Sequence, residues 1–175
     1  MTVVYDLDGT VVRLAVDWDA VAREVAATLE RRDVTVPDGA DLWKLFRIGR
    51  GADQLDAVER VISAHERAGA RESERLACAD LLARDAPTAV CSLNSGGACH
   101  IALGQHRLRD HVPVVVGRDA GPWEKPDPEP LLAAADRLGV DPAETTFVGD
   151  GERDERTAER AGVEFVYASE WTRRA

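Results

Sequence analysis

The 175-residue chain is long enough for one folded core with a small insertion, and 45% of its residues are hydrophobic, as is typical of globular proteins. Its 32 acidic and 22 basic residues give a net charge of −10, which argues against sequence-independent binding of nucleic acid, since such binding needs a positive field. No apolar run approaches the ~18 residues of a membrane span, and the three cysteines follow no CxxC spacing, so we expect a cytoplasmic protein that binds neither nucleic acid nor membrane.

The first predicted strand, residues 3–5, leads into two carboxylates one residue apart, Asp6 and Asp8, and then into Gly9 and Thr10. Alternation along an extended segment points both carboxylates the same way, at the strand end where parallel sheets bind ligands. Their mutual repulsion requires either a bound cation or a proton on one of them, and the proton would divide the roles of nucleophile and general acid. Asp and Gly are also common in ordinary turns.

The segment that follows, residues 15–85, is predicted to consist of three or four helices without a strand. Val21, Val25 and Leu29 recur every four residues, the spacing of a one-sided helix. The predicted elements are helices at about 17–32, 41–48, 53–68 and 72–83, a loop at 34–39, a glycine turn at 49–51 and a helix stop at Gly69.

Strands and helices alternate from residue 87 onward. The predicted strands are 88–91, 112–116, 145–148 and 164–167, and the predicted helices are 95–104, 129–138 and 154–161. This order predicts an α/β fold, a Rossmann-like parallel sheet flanked by helices and wound in right-handed crossovers. We therefore divide the chain into a core, residues 1–14 and 86–175, and an inserted all-helical segment, residues 15–85.

Three further segments at predicted strand ends carry polar side chains. Ser92, Asn94 and Ser95 lie between a strand and a helix, where free N–H groups bind anions, although these residues also serve as ordinary helix caps. Lys125 stands in a loop stiffened by neighbouring prolines, and it is one of only two lysines beside twenty arginines. This composition, with many acidic residues and little lysine, resembles that of proteins from salt-loving organisms.

The third of these segments is residues 149–154, which places Asp150 and Asp154 four residues apart at the start of a helix. Such hard oxygen ligands close to Asp6 and Asp8 would suit Mg²⁺. Acidic side chains also favour helix N-termini without any metal.

These four segments, in this order, resemble the motifs of the haloacid dehalogenase-like (HAD) phosphohydrolase superfamily. DxDGT matches residues 6–10, the lysine motif, often a KP pair, matches residues 125–126, and GDxxxD matches residues 149–154. The second motif departs from the usual pattern, because Leu93 separates the serine from the asparagine. Either Ser92 or Ser95 is then the equivalent hydroxyl, and we favour Ser92 because it directly follows the apolar run.

The resemblance implies that Asp6 attacks phosphorus and carries an aspartyl-phosphate, while Asp8 protonates the leaving oxygen and later activates water. It implies a Mg²⁺ cofactor held by Asp150, the Asp6 carboxylate and the Asp8 backbone carbonyl, with Asp154 as a further ligand or as the residue that orients Lys125. The phosphate-binding residues that we expect are Thr10, Ser92, Asn94 and Lys125.

The predicted function is a Mg²⁺-dependent phosphatase for a small phosphorylated metabolite, nearest to the family's phosphoglycolate phosphatase-like branch and active as a monomer or homodimer. Residues 11–14 depart from that branch's pattern. A β-phosphoglucomutase-like phosphomutase, which would share these residues, and a non-catalytic module that binds phosphate or a partner are the alternatives.

Residues 15–85 would form the family's cap over the site. Lys44, Arg47 and Arg50 recur at three-residue intervals and would either attract an anionic substrate tail or form a solvated face. Trp18 and Trp43 would either line the cap pocket or belong to the cap's own core.

Overall fold

The structure, a computed structural model, describes residues 2–82 and 87–174. Within these residues the strands are β1 (Thr2–Tyr5), β2 (Val12–Arg13), β3 (Glu74–Arg75), β4 (Thr88–Cys91), β5 (Val114–Val116), β6 (Thr145–Gly149) and β7 (Glu164–Tyr167). The α-helices are α1 (Trp18–Glu30), α2 (Leu42–Gly51), α3 (Leu55–Arg71), α4 (Gly96–Gln105), α5 (Glu129–Leu138), α6 (Glu152–Ala161) and α7 (Ala168–Arg174).

A parallel sheet in the order β5-β4-β1-β6-β7 forms the centre of the described structure. β1 is the middle strand and is buried along its whole length, because its side chains alternate between two apolar layers. Val3 and Tyr5 face the layer that includes α4 and α7, whereas Val4 faces the layer of α5 and α6. The predicted α/β fold with a parallel sheet flanked by helices is confirmed.

Helices α1, α2 and α3 pack around an apolar cluster of their own, whose centre includes Val25, Leu45 and Ile62. The division into a core and an inserted helical cap stays a prediction. Its boundary near residue 85, like the predicted end of a helix at residue 83, falls outside the described residues.

Four local predictions in the helical segment are wrong. Residues 72–83 do not form a helix in their described part, which instead contains β3 and a 3-10 helix at Ala77–Asp80. The segment therefore does contain a strand, and β3 pairs antiparallel with β2, while the Leu76 amide donates to the Val11 carbonyl. These long-range hydrogen bonds outweigh the weak helical preference of a short segment.

The glycines in this segment serve close packing instead of ending helices. Gly69 lies inside α3, where an added Cβ would lie 2.8 Å from the Ala15 carbonyl oxygen. Gly49 lies inside α2, where an added Cβ would lie 2.6 Å from the Val58 side chain. The turn predicted at 49–51 is therefore helical, and α3 continues past Gly69 to Arg71.

Candidate active site

The turn after β1 brings Asp6 and Asp8 to the carboxyl edge of the sheet. Leu7 provides the carbonyl that accepts hydrogen bonds from the amides of residues 10, 11 and 12, and the Gly9 amide donates to the Val12 carbonyl. The Asp6 carboxylate is buried, and Asp8 Oδ1 accepts a 2.8 Å hydrogen bond from the Leu14 amide. The backbone thus holds the Asp8 carboxylate in a fixed position.

Gly9 is required in this turn for two reasons. Its φ of 87° lies in the left-handed region that side chains disfavour, and an added Cβ would lie 2.2 Å from Oδ2 of Asp150. The bare glycine therefore lets the loop after β6 bring Asp150 against the turn after β1.

Lys125 lies between two of the predicted site carboxylates. Its Nζ donates a 2.7 Å hydrogen bond to Asp6 Oδ1 and another of 2.7 Å to Asp154 Oδ1, and it lies 4.9 Å from the centre of the Phe147 ring. The lysine is only 3% exposed. It is therefore an internal cation directed at the end of β1.

Reciprocal hydrogen bonds fix the loop that presents this lysine. The Asp127 amide donates to the Glu124 carbonyl at 2.7 Å, and the Glu124 amide donates to Asp127 Oδ2 at 3.1 Å. Lys125 stands inside this closed turn, and the Arg160 side chain donates to the carbonyl of the next residue, Pro126.

Burial and charge shift the proton affinities of these groups. Burial raises the pKa of Asp6 to about 7, although the Lys125 ammonium acts to lower it, and the Asp154 carboxylate adds to the rise. Burial alone would lower the pKa of Lys125, but the carboxylates of Asp6 and Asp154 raise it above its usual range. Burial also raises the pKa of Asp150, with a contribution from Asp154. The cluster thus carries more negative charge than Lys125 can balance.

The site's donor atoms fit a hard divalent cation. Oxygen atoms from the carboxylates of Asp6, Asp150 and Asp154 all lie within 4.8 Å of one another. Oxygen-only donors around an excess of negative charge are the ligands that suit Mg²⁺. Asp154 also bonds Lys125, so its geometry is compatible with both of the roles considered for it.

The loop between β4 and α4 brings Ser92 to the same edge of the sheet. Ser92 Oγ donates to Asn94 Oδ1 at 3.0 Å and accepts from the Asn94 amide at 3.1 Å. Ser95 is instead the N-cap of α4, where its side chain accepts from the Ala98 amide. The cavity wall includes Ser92 and Asn94, so the geometry favours Ser92 as the second-motif hydroxyl.

Glu66 and Arg118 are site residues that the sequence analysis did not identify. Both line the cavity, Glu66 from α3 and Arg118 from the segment after β5, and they form a buried ion pair with an N–O distance of 2.6 Å. The available signal was the position of Glu66, which continues the apolar stripe of Val58 and Ile62 at four-residue spacing. No local pattern marks Arg118, which lies 52 residues later.

These side chains share a single cavity of about 770 Å³. The strand ends contribute Asp6, Asp8 and Ser92 to its lining, and Lys125 lies beside them. The helical segment contributes Trp18, Ala22, Arg23, Trp43 and Ile62. Both tryptophans also pack against the apolar cluster of α1–α3, so they act as pocket wall and core at once.

The basic face of α2 is directed elsewhere. Arg47 and Arg50 pair with Glu124, at N–O distances of 3.4 and 3.8 Å, and Lys44 is exposed. None of the three is among the described residues that line the cavity. The structure therefore gives no support to the idea that they attract a substrate tail.

Thr10 does not join the cavity wall among the described residues. Its hydroxyl is buried and has no hydrogen-bond partner within the part of the chain that the structure describes. Phosphate binding by Thr10 stays a prediction.

The described helices are each too short or too polar to cross a bilayer.

Comparisons with known proteins agree with this arrangement. The family model of haloacid dehalogenase-like hydrolases matches residues 3–168. A phosphoglycolate phosphatase of Rhodospirillum rubrum is 33% identical over 190 aligned positions, which cover 95% of this chain and 78% of the relative. A phosphoglycolate phosphatase of Cereibacter sphaeroides is 30% identical over 202 positions, covering 99% of this chain and 87% of the relative.

Solved structures share the fold. CbbY from Rhodobacter sphaeroides, crystallised in complex with phosphate, superposes with a TM-score of 0.65 at 22% identity, covering 95% of this chain and 84% of that chain. A HAD-superfamily hydrolase from Geobacter sulfurreducens superposes with a TM-score of 0.62 at 23% identity, covering 95% and 88%. The sequence alignments are longer than this chain, so the curated relatives carry internal segments that it lacks.

Proposed function

We propose a specific reaction for this chain, which belongs to the haloacid dehalogenase-like hydrolase family and is a phosphohydrolase. It is a Mg²⁺-dependent phosphatase that hydrolyses a small phosphorylated metabolite through an aspartyl-phosphate on Asp6. The observation that carries this proposal is the buried Lys125 ammonium, bonded to Asp6 and Asp154 beside a cluster of three carboxylates in one cavity.

Asp6 is the nucleophile. Its backbone amide donates to the Val148 carbonyl at 2.8 Å, which fixes the carboxylate at the strand end for in-line attack on phosphorus. The Asp6–phosphorus bond forms as the bond from phosphorus to the leaving oxygen breaks. Lys125 and Ser92 hold the phosphate oxygens where negative charge resides during transfer.

Asp8 moves the proton. It donates a proton to the leaving oxygen in the first step and takes one from the water that hydrolyses the aspartyl-phosphate in the second. Burial raises the pKa of Asp8, which favours the protonated form needed for the first step. When bound by Asp6, Asp150, Asp154 and the Asp8 carbonyl, Mg²⁺ would screen the repulsion between nucleophile and phosphate.

The proposed substrate is phosphoglycolate, on which both cited curated relatives are named as acting. Helices α1–α3 form the cap that encloses the leaving group, and they contribute Trp18, Arg23 and Trp43 to the cavity. An arginine in this wall is suited to a carboxylate.

The test is phosphate release from phosphoglycolate and a panel of phosphorylated metabolites, with Mg²⁺ and with EDTA. We expect turnover only with the metal, complete loss in Asp6→Asn and no loss in Asp110→Asn, an exposed carboxylate of similar chemistry. Metal-independent turnover, or an active Asp6→Asn variant, would contradict the proposal.

Two further outcomes separate the alternatives. Conversion of glucose 1-phosphate without release of phosphate would identify a phosphomutase. Phosphate binding without turnover of any substrate would identify a non-catalytic binding module. We propose a cytoplasmic location, which is supported by the three cysteines, all of them free and buried. Hydrolysis rates of the same substrates at molar KCl test whether the protein is halophilic, as its acidic, lysine-poor composition predicts.

A further inference from the structure

Arg118 forms a hydrogen bond with every donor that its guanidinium offers. Nε and Nη2 donate to the two carboxylate oxygens of Glu59, at 2.9 and 2.8 Å. Nη1 and Nη2 donate to the two oxygens of Glu66, at 2.6 and 3.1 Å. The remaining N–H of Nη1 donates to the Leu93 carbonyl at 2.6 Å. A guanidinium has five N–H donors, so this arginine is fully occupied.

Glu66 uses the same two oxygens to hold the loop between β4 and α4. Oε1 accepts from the Asn94 side-chain amide at 3.3 Å, and Oε2 accepts from the Ser95 backbone amide at 3.0 Å. Asn94 in turn bonds the Ser92 hydroxyl through its own amide and side-chain oxygen. A continuous chain of contacts therefore runs from Arg118 through Glu66 and Asn94 to Ser92.

We propose that Glu66 and Arg118 are positioning residues, which hold the Ser92 hydroxyl in the geometry that receives phosphate. The inference rests on the proposed function, since it requires that Ser92 bind phosphate. It goes further by making the phosphate-binding loop depend on a residue of helix α3, so that this helix takes part in phosphate binding as well as in enclosing the leaving group.

A purely structural role does not explain this carboxylate. Glu66 is 1% exposed and occupies an apolar stripe of α3, where a hydrophobic side chain would pack at no desolvation cost. Its oxygens bond the loop, whereas Glu59, about two helical turns earlier, bonds the same arginine without contacting the loop in any hydrogen bond among the described residues. The two glutamates therefore form a matched pair for experiment.

The experiment compares Glu66→Gln with Glu59→Gln in the full chain with Mg²⁺. The readout is the inhibition constant of inorganic phosphate against hydrolysis, together with KM and kcat. We expect Glu66→Gln to weaken phosphate inhibition and raise KM by about tenfold, the effect of one impaired charge-assisted contact. We expect Glu59→Gln to change both by less than about twofold.

A structural role would give a different signature. Partial unfolding lowers the concentration of active enzyme, and hence apparent kcat, without changing the inhibition constant or KM. If Glu66→Gln does not fold, Glu66→Asp keeps the charge facing Arg118 while its shorter side chain releases Asn94 and Ser95. An unchanged inhibition constant in the folded variant overturns the inference.

The Ser92→Ala background tests whether Glu66 acts through the serine. We expect Glu66→Gln to change the inhibition constant of Ser92→Ala by less than about twofold, since the residue that it positions is already missing. A full tenfold effect in that background would overturn the inference in favour of direct contact between Glu66 and the substrate.

A failure of the proposed function can be distinguished from a failure of this inference. A wild-type protein that neither hydrolyses any phosphate ester nor binds inorganic phosphate in calorimetry would overturn the function and this inference together. An active wild type with an unaltered Glu66→Gln variant would overturn the inference alone.

Discussion

Lys125 donates a 2.7 Å hydrogen bond to Asp6, a residue 119 positions earlier in the chain, and both side chains are buried. The same ammonium bonds Asp154 at the same distance. This pairing places one compact cation between two carboxylates. A guanidinium is planar and larger, so the arginine that dominates this chain's basic residues is a poor replacement here.

The first prediction concerns this lysine. We expect Lys125→Arg to lower kcat by about 10²-fold or more, because the bulkier cation cannot bond both carboxylates in the enclosed space. Lys44→Arg is the matched control, since Lys44 is exposed and its replacement should leave the rate unchanged. Steady-state hydrolysis of the preferred phosphate ester measures both. A Lys125→Arg enzyme within a few-fold of wild type would contradict this account.

The second prediction separates activity from stability at Asp6. Asp6→Asn should abolish turnover but raise the melting temperature in EDTA at pH 8, because burial raises the pKa of Asp6 and so disfavours the ionised carboxylate that the variant removes. The gain should be a few degrees, since about 1 kcal/mol shifts a domain of this size by ~2–4 °C.

The sign of its pH dependence follows from the pKa of Asp6, which burial raises from its ordinary value of 3.8 to about 7. The folded state holds this proton more tightly than the unfolded chain does. The contribution of Asp6 to stability is therefore present below about pH 4 and is lost as pH rises through 7. The melting-temperature difference between variant and wild type should widen over that range and then level off. A constant difference would count against the raised pKa.

The third prediction concerns the metal. Because the metal-free pKa of Asp6 is about 7, Mg²⁺ binding near pH 6.5 should displace a proton, and the apparent affinity should rise with pH until about pH 8. Calorimetric titration in two buffers of different ionisation enthalpy measures the released proton directly. Equal heats in the two buffers at pH 6.5 would show that no proton leaves.

The fourth prediction uses two glycines with similar backbone angles. Gly9 has φ of 87° and Asp150 against its Cα, whereas Gly139 has φ of 71° and open space around it. Gly139→Ala should cost about 1 kcal/mol of unfolding free energy with activity unchanged. Gly9→Ala should cost more and should also weaken activation by Mg²⁺, because it displaces Asp150. Chemical denaturation and Mg²⁺ titration of the rate distinguish the two effects.

The fifth prediction concerns the thiols. Burial raises the pKa of Cys78 to about 11 and that of Cys91 to about 12, and it raises the pKa of Cys99 as well. Thiolate is the reactive form, so iodoacetamide should leave all three cysteines of the native protein unmodified at pH 8. Denatured protein should react fully. Rapid modification of the native protein would contradict the burial.

The sequence predicted the elements that depend on short-range patterns. β4, β7, α1 and α5 lie where apolar periodicity and capping residues placed them, to within a residue or two. The strand ends carrying Asp6, Ser92 and Asp150 do meet at one edge, because parallel strands align their carboxyl ends.

Features that depend on long-range contacts leave no short-range pattern in the sequence. β3 forms only because it pairs with β2, sixty residues earlier, and Gly69 stays helical because α3 passes close to Ala15. The pairing of Glu66 with Arg118 joins two segments that no local pattern relates. The short helix α7 likewise depends on a long-range contact, the hydrogen bond that Trp171 donates to the Tyr5 hydroxyl.

The strand order has a consequence for biosynthesis. β1 is translated before its partners β4 and β6, which begin at residues 88 and 145, so the whole helical segment is made before either neighbour exists. The edge bearing Asp6 therefore takes shape only when β6 has been translated. Until then the nascent polypeptide holds an unpaired apolar strand, which is prone to aggregation.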